Sequence, residues 1–295
     1  MQCTGRQPTG CSKARAQQCI WFWWKQLRSG SQPLTPLIMH LQAISSSNPI
    51  AADWEALRAQ FKGLSGEPSP DWKPAPTCLA SRAAKRLSPQ IQLALMMAER
   101  IAPALPEEAG WVFASSIGEG QTLQVILEAL REPEMMLQPL RFQNAVHNAA
   151  SGQWTIAAGL KGPTTSLGAY DETVGAGFLK AAMQVVLEKL PVGLVLYDVP
   201  LPEPLNAIHP LGLPIGAGFA LTPESGPNSL ACLELTVGLG SLTYPKTDAS
   251  KRLIETLNPI AAAMPLLERL AGIGEGSVTL GLHGGGALHV KITPT

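Results

Sequence analysis

The chain has 295 residues, of which 45% are hydrophobic and 15% are charged, and this composition excludes a disordered or fibrous protein. Lysine plus arginine and aspartate plus glutamate each total 22, so no basic surplus points to nucleic acid as a partner. The apolar runs are shorter than the roughly 18 residues that a membrane-spanning helix needs. We therefore expect a globular cytoplasmic protein with no integral membrane segment.

The first 38 residues differ from the rest in charge and cysteine content. They contain five of the 22 basic residues and no acidic residue, which leaves 17 basic against 22 acidic residues in 39–295. They also contain three of the five cysteines, without the spacing of a zinc site or a disulfide framework. We predict an extension at 1–38, disordered or not translated, and one domain at 39–295 that opens at Met39. We predict no metal site and no cofactor.

Helix and strand patterns alternate along the first half of this domain. Ser88 followed by proline predicts a helix start, because serine caps helix N–H groups and proline is tolerated in the first turn. The apolar segment WVFAS predicts a buried strand. In chain order, the predicted elements are helices at 53–62 and 88–101, a strand at 111–115, helices at 121–131 and 142–160, and a strand at 163–169.

The second half predicts a parallel crossover followed by antiparallel hairpins. A helix at 172–190 lies between the strand at 163–169 and an apolar strand at 193–199, and a strand–helix–strand unit of this size favours parallel pairing. The predicted hairpins join 216–221 to 230–237 and 277–282 to 287–293, with a helical stretch at 251–271 between them. The predicted fold class is α/β with a mixed sheet.

A family resemblance is carried by four segments. GPTTSLGAYDETVGAGFLK, at 162–180, resembles the part of β-ketoacyl synthases that presents the nucleophilic cysteine at a helix N-terminus. Counted from Gly162, the cysteine position falls on Asp171. Together with NAVHNAASGQW at 144–154 and with WVFASS and LSPQIQLA, the chain is similar to the short β-ketoacyl synthase-like proteins called chain length factors in aryl polyene type pathways. The resemblance runs from about residue 41 to the end.

The resemblance implies a thiolase-like layered fold, truncated in its C-terminal half, and a function in fatty acid or polyketide type biosynthesis. A condensing enzyme needs a thiolate to hold the acyl chain, and Asp171 cannot do this. The synthase histidine motifs are expected within 238–282, where this chain has no histidine. The resemblance therefore implies a non-condensing subunit that pairs as a heterodimer with an active ketosynthase, serves an acyl carrier protein and shapes chain length.

The site residues implied by the resemblance surround Asp171 and His147. The strand at 163–169 would form the dimer interface with the acyl tunnel beside it, and Phe178, Trp154 and Leu167 would limit the chain length. The remaining predicted substrate-binding residues are Asn144, Asn148, Gly281, Gly284 and Gly285.

Several interpretations of these residues stay open in the sequence. Asp171 is explained either as a helix cap or as a group that shapes the acyl pocket, and His147 either as a buried core histidine or as a pocket residue. The glycines of LGLHGGGA suit an oxyanion pocket or, as we favour, a hairpin turn.

Two other functions also stay open. Asp171 and His147 would form the acid/base pair of an acyltransferase or hydrolase if their side chains lie within hydrogen-bond reach. A homodimer with an unrelated ligand is the third hypothesis.

Overall fold

The computed structural model describes residues 35–64, 69, 71–131, 142, 144–274 and 276–295. Residues Pro36–Thr295 form one unit. Its strands are β1 (Leu37–Ser47), β2 (Gly110–Ala114), β3 (Thr164–Leu167), β4 (Val192–Asp198), β5 (Ile215–Thr222), β6 (Ala231–Gly238), β7 (Ser277–Leu282) and β8 (Gly286–Pro294). Its α-helices are α1 (Trp54–Phe61), α2 (Ser81–Ala84), α3 (Pro89–Ile101), α4 (Gly120–Ala129), α5 (Ala149–Ala158), α6 (Thr173–Leu187), α7 (Leu205–Ile208), α8 (Asp248–Ile254) and α9 (Met264–Leu270).

The strands form one mixed sheet in the order β3-β2-β4-β5-β1-β6-β8-β7. β2 is parallel to both β3 and β4, whereas the other neighbours are antiparallel. The parallel part contains the crossover predicted at 163–199, with α6 as its helix. The prediction of an α/β fold with a mixed sheet is confirmed.

The predicted hairpin between 216–221 and 230–237 is wrong, because β1 lies between β5 and β6 and pairs with both. The sequence analysis missed β1, whose residues 45–47 are serines that are buried without being apolar. β1 begins at Leu37, so the last two residues assigned to the extension at 1–38 belong to the domain.

The second predicted hairpin is confirmed, since β7 pairs antiparallel with β8 from Ser277 to Leu282. The short turn that joins them places Gly284 at φ 73° and Gly285 at φ 79°. Because L side chains rarely adopt this left-handed conformation, glycine is the residue that the turn requires. The interpretation of these two glycines as a hairpin turn is therefore correct.

Two predicted helices differ from the observed ones. In the stretch predicted at 142–160, residues 144–148 form turns, and the helix that follows them is α5, from Ala149 to Ala158. The stretch 251–271 is divided into α8, a 3₁₀ segment at Pro259–Ala263, and α9. Leu257 at φ 59° followed by Pro259 interrupts the helical path, because neither conformation continues an α-helix.

The helices lie in layers on the two faces of the sheet. On β2, Trp111 and Phe113 face an apolar cluster that includes α3 and α5, whereas Val112 and Ala114 face a larger cluster that includes α6 and α9. This alternation is the period of two expected for a strand covered on both faces. Among the described helices, none is long and apolar enough to cross a membrane.

Candidate functional site

The candidate site lies where three parallel strands end. Because β3, β2 and β4 are parallel neighbours, their carboxyl ends share one edge of the sheet. Ser115 follows β2, Gly168 follows β3, and Asp198 is the last residue of β4. In open α/β sheets, ligands bind outside this edge, so it is the place to examine for chemistry.

The turn between β3 and α6 presents the predicted nucleophile position. Tyr170–Glu172 forms a single 3₁₀ turn, and Tyr170 has φ 47°. The Thr173 hydroxyl donates to the Tyr170 carbonyl at 2.7 Å and accepts from the Ala169 N–H at 3.0 Å. The hydroxyl of Thr173 therefore holds the turn closed before α6 begins.

Asp171 is not the helix cap that its type and position suggested. Its side chain is exposed, and it forms no hydrogen bond with any described residue. The residue at the N-cap of α6 is Glu172, which also makes no side-chain capping bond. The hydroxyl of Thr173, one residue into the helix, bonds the turn instead.

His147 lies beside this turn without pairing with Asp171. A Cβ atom added to Gly168 would lie 2.8 Å from the His147 Nε2 atom, and one added to Gly118 would lie 3.3 Å from its Cδ2 atom. Within the described residues, neither a hydrogen bond nor an ion pair joins His147 to Asp171. The geometry thus places His147 at the site edge but does not form the acid/base pair of the alternative hypothesis.

A small cavity of about 10 Å³ lies next to His147. Its lining includes Gln90, Glu119 and Tyr197 as well as the His147 ring. His147 is exposed, so it is not the buried core histidine of the first interpretation, and Asp171 is not among the residues that line this cavity.

Two predicted chain-length residues lie in the packed core. Trp154 is buried with its ring centroid 5.0 Å from that of Trp111, and Phe178 is buried with its centroid 4.9 Å from that of Phe219. Leu167, at the end of β3, is half-buried. Only Leu167 of the three keeps part of its side chain at the site edge.

The other predicted site residues are divided between the site and its surroundings. Asn144 is half-buried, and Asn148 is exposed and occupies the N-cap position of α5 without a side-chain capping bond. Gly281 lies against α6, since a Cβ atom added to Gly175 would lie 2.0 Å from its carbonyl oxygen. Gly284 and Gly285 lie in the exposed β7–β8 turn.

The sequence analysis missed a buried hydrogen-bond network at the same edge. The Gln90 side-chain amide donates to the Ser115 hydroxyl at 2.7 Å, and this hydroxyl donates to the Asp198 carboxylate at 2.7 Å. The Ser116 N–H lies 3.1 Å from both carboxylate oxygens. Burial raises the pKa of Asp198 to about 6, although these hydrogen bonds oppose the increase.

Glu119 is a second buried carboxylate at this edge. It caps α4 by accepting from the Thr122 N–H at 3.4 Å, and it accepts a hydrogen bond from Ser88, the cap of α3. Burial raises its pKa, and its hydrogen bonds lower it in part. One carboxylate therefore joins the N-terminal ends of two helices.

The sequence signal for this buried network was a polar residue directly after an apolar strand or directly before a helix.

The thiols of the described chain lie away from this edge. Cys78 precedes α2 and Cys232 lies in β6. Burial, followed by the Glu99 carboxylate, raises the pKa of Cys78 to about 11, so that this thiol is protonated at neutral pH. Among the described side chains, no cluster of three or more His, Cys, Asp or Glu residues is arranged to hold a metal ion.

Comparison with known families decides the relationship. The model of the β-ketoacyl synthase N-terminal domain matches residues 54–265. The chain belongs to the β-ketoacyl synthase family. The matched range includes the β3–α6 turn with Asp171 and the network around Asp198. A search of curated proteins finds no significant match.

Solved structures of ketosynthases share the fold of this family member. The ketosynthase (ApeO) in complex with its chain length factor (ApeC) from Xenorhabdus doucetiae is similar at 18% identity and TM-score 0.64, over 86% of this chain and 98% of that chain. AntDE:AntF, a type II PKS acyl-carrier protein in complex with its ketosynthase bound to the hexaketide, is similar at 11% identity and TM-score 0.68, over 88% and 99%.

A ketosynthase from module 1 of the bacillaene synthase of Bacillus amyloliquefaciens FZB42 is similar at 11% identity and TM-score 0.59. The match covers 88% of this chain but 76% of that ketosynthase. These similarities confirm the predicted thiolase-like fold.

Proposed function

We propose that this chain is a non-condensing subunit that pairs with a catalytic β-ketoacyl synthase and shapes the length of the acyl or polyene chain. Asp171 at the nucleophile position carries the proposal, because a condensing enzyme holds the growing chain on a thiolate. A carboxylate would form a mixed anhydride instead of a thioester. The proposal includes a cytoplasmic location for the pair.

The free edge of β3 supports a partner at this site. β3 pairs with β2 on one side, and its other side has no strand partner among the described residues. At the opposite end of the sheet, Thr243 covers β7, since its N–H donates to the Thr279 carbonyl at 3.0 Å and its hydroxyl accepts from the Thr279 N–H at 2.9 Å. A free edge is a template for strand addition. We place the heterodimer interface along 163–169.

A basic cluster supports an acyl carrier protein as the second partner. Arg82, Lys85 and Arg86 are all exposed just before α3, and none of them forms an ion pair with a described residue. Ser88, two residues later, bonds to Glu119 at the site edge. Three free cations close to the strand ends would attract an acidic partner and orient it toward the site.

Leu167 is the residue that we propose to limit chain length. It is half-buried at the end of β3, beside the proposed interface, whereas Trp154 and Phe178 are enclosed in the core. Leu167→Ala should lengthen the product of the pair by removing the side chain at the tunnel wall. Leu187→Ala is the matched control, because Leu187 is an exposed leucine at the C-terminal end of α6. Unchanged product lengths for Leu167→Ala would contradict this role.

The function is tested by co-expression with the β-ketoacyl synthase of the same genome. Native mass determination should show a one-to-one complex, and elongation of a malonyl-loaded carrier should be retained in the complex with Asp171→Ala. Lack of a complex would reject the proposed function. Loss of turnover from an intact complex would show that Asp171 takes part in the chemistry.

A further inference from the structure

Tyr170 holds a backbone conformation that tyrosine rarely adopts. Its φ of 47° lies in the left-handed region, which glycine adopts readily and residues with bulky side chains rarely adopt. The sequence places it directly before Asp171, in the turn that follows the free strand β3. A residue in such a conformation persists only when its surroundings fix it.

Neighbouring backbone and hydroxyl groups fix this conformation from both sides. Thr173, whose side chain is fully buried, bonds both the Tyr170 carbonyl and the Ala169 N–H. The Glu172 N–H also donates to the Ala169 carbonyl at 3.0 Å. The turn is therefore rigid around a strained residue.

The side chain of Tyr170 makes few contacts that could offset the strain in its backbone. It is 68% exposed, so most of its ring contacts solvent. Asp171, which follows it, is also exposed, whereas Ala169, which precedes it, is half-buried. An aromatic ring that is uncovered in the isolated chain, on a backbone held in a strained conformation, is suited to burial in a complex.

We propose that Tyr170 is the anchor residue of the interface, and that its ring is buried against the catalytic ketosynthase subunit when this subunit adds to the β3 edge. This inference rests on the proposed function. The turn continues directly from β3, so a strand that pairs along Thr164–Leu167 meets Tyr170 at its end. Tyrosine is one of the residue types that most often carry the binding energy of protein interfaces.

The binding test compares Tyr170→Ala with Leu187→Ala. Leu187 is 66% exposed, close to the 68% of Tyr170, but lies at the C-terminal end of α6. With purified ketosynthase, Tyr170→Ala should raise the Kd at least tenfold, while Leu187→Ala and Tyr170→Phe should stay within threefold of wild type. A Tyr170→Ala Kd within threefold of wild type would overturn the anchor role while the wild-type complex upholds the proposed function. If the wild-type chain fails to bind, both proposals are rejected.

A second measurement separates the anchor from a structural tyrosine. Tyr170→Gly should leave the Tm of the isolated chain unchanged or raised, because glycine relieves the left-handed strain, and should still weaken the complex tenfold. These opposite effects distinguish an interface residue from a folding residue. A lower Tm for Tyr170→Gly would show that the ring stabilises the chain itself and would contradict the proposal.

Discussion

Replacing Asp198 by asparagine should change how the stability of the protein depends on pH. Burial raises the pKa of this carboxyl from an ordinary 3.8 to about 6, so the folded chain binds its proton more tightly than the unfolded chain does. Stability from this group is therefore highest below the unfolded pKa and falls as the pH rises through about 6. A shift of this size corresponds to about 3 kcal/mol of destabilisation once the pH is above the folded pKa.

Urea unfolding at pH 7 and pH 5 measures this effect. When the pH is lowered from 7 to 5, the Asp198 contribution to the free energy of unfolding of the wild type should increase by about 1 kcal/mol. This is the part of its titration that falls between these two pH values. Asparagine keeps an oxygen that accepts from Ser115 and Ser116 but carries no charge, so Asp198→Asn should lose this increase.

Glu119→Gln is the matched control for the second buried carboxylate at the same edge. The difference between wild type and Asp198→Asn isolates the titration of Asp198 from that of the other acids. Identical pH slopes for wild type and Asp198→Asn would refute the assignment of a raised pKa to this residue.

Three further predictions concern packing and chemistry. Gly168→Ala should lower stability by about 2 kcal/mol in thermal unfolding, because its Cβ would lie 2.7 Å from the Ser115 carbonyl oxygen. Gly152→Ala, at a position with open space in α5, should instead add about 0.5–1 kcal/mol. Equal effects of the two substitutions would contradict this reasoning. Phe178→Ala should cost about 3–5 kcal/mol without lengthening the product, since the ring fills the core. Asp171→Cys should not restore condensation in an assay of the chain alone, and elongation by that variant would show the missing histidines to be dispensable.

The crossover was predictable from the sequence because its signals are local. The apolar strand at 193–199, the helical period of 172–190 and the small residues of 163–169 each depend on neighbours within one element. β1 was not predictable in this way, since Ser45–Ser47 are buried only because β5 and other elements cover them. Pairings between distant strands are set by the tertiary structure, so the first hairpin was assigned to the wrong partner.

The candidate site was also only partly predictable from the sequence. The motif located Asp171 in the turn before a helix, and the structure places it there. The Asp198–Ser115 bond joins residues 83 positions apart, and it exists only because β2 and β4 are parallel neighbours. No local pattern carries that information, so the buried network required the fold.

The position of β1 in the middle of the sheet constrains when the chain can fold. Gln42 of β1 bonds to Thr222 at a separation of 180 residues, and β6 and β8 follow later still. At translation rates of about 5–20 residues per second, on the order of 10–40 s pass between the synthesis of β1 and the synthesis of its first strand partner. During that time its backbone groups remain available to other chains. Synthesis therefore leaves β1 open to wrong pairing until β5 and β6, its two neighbours in the sheet, have left the ribosome.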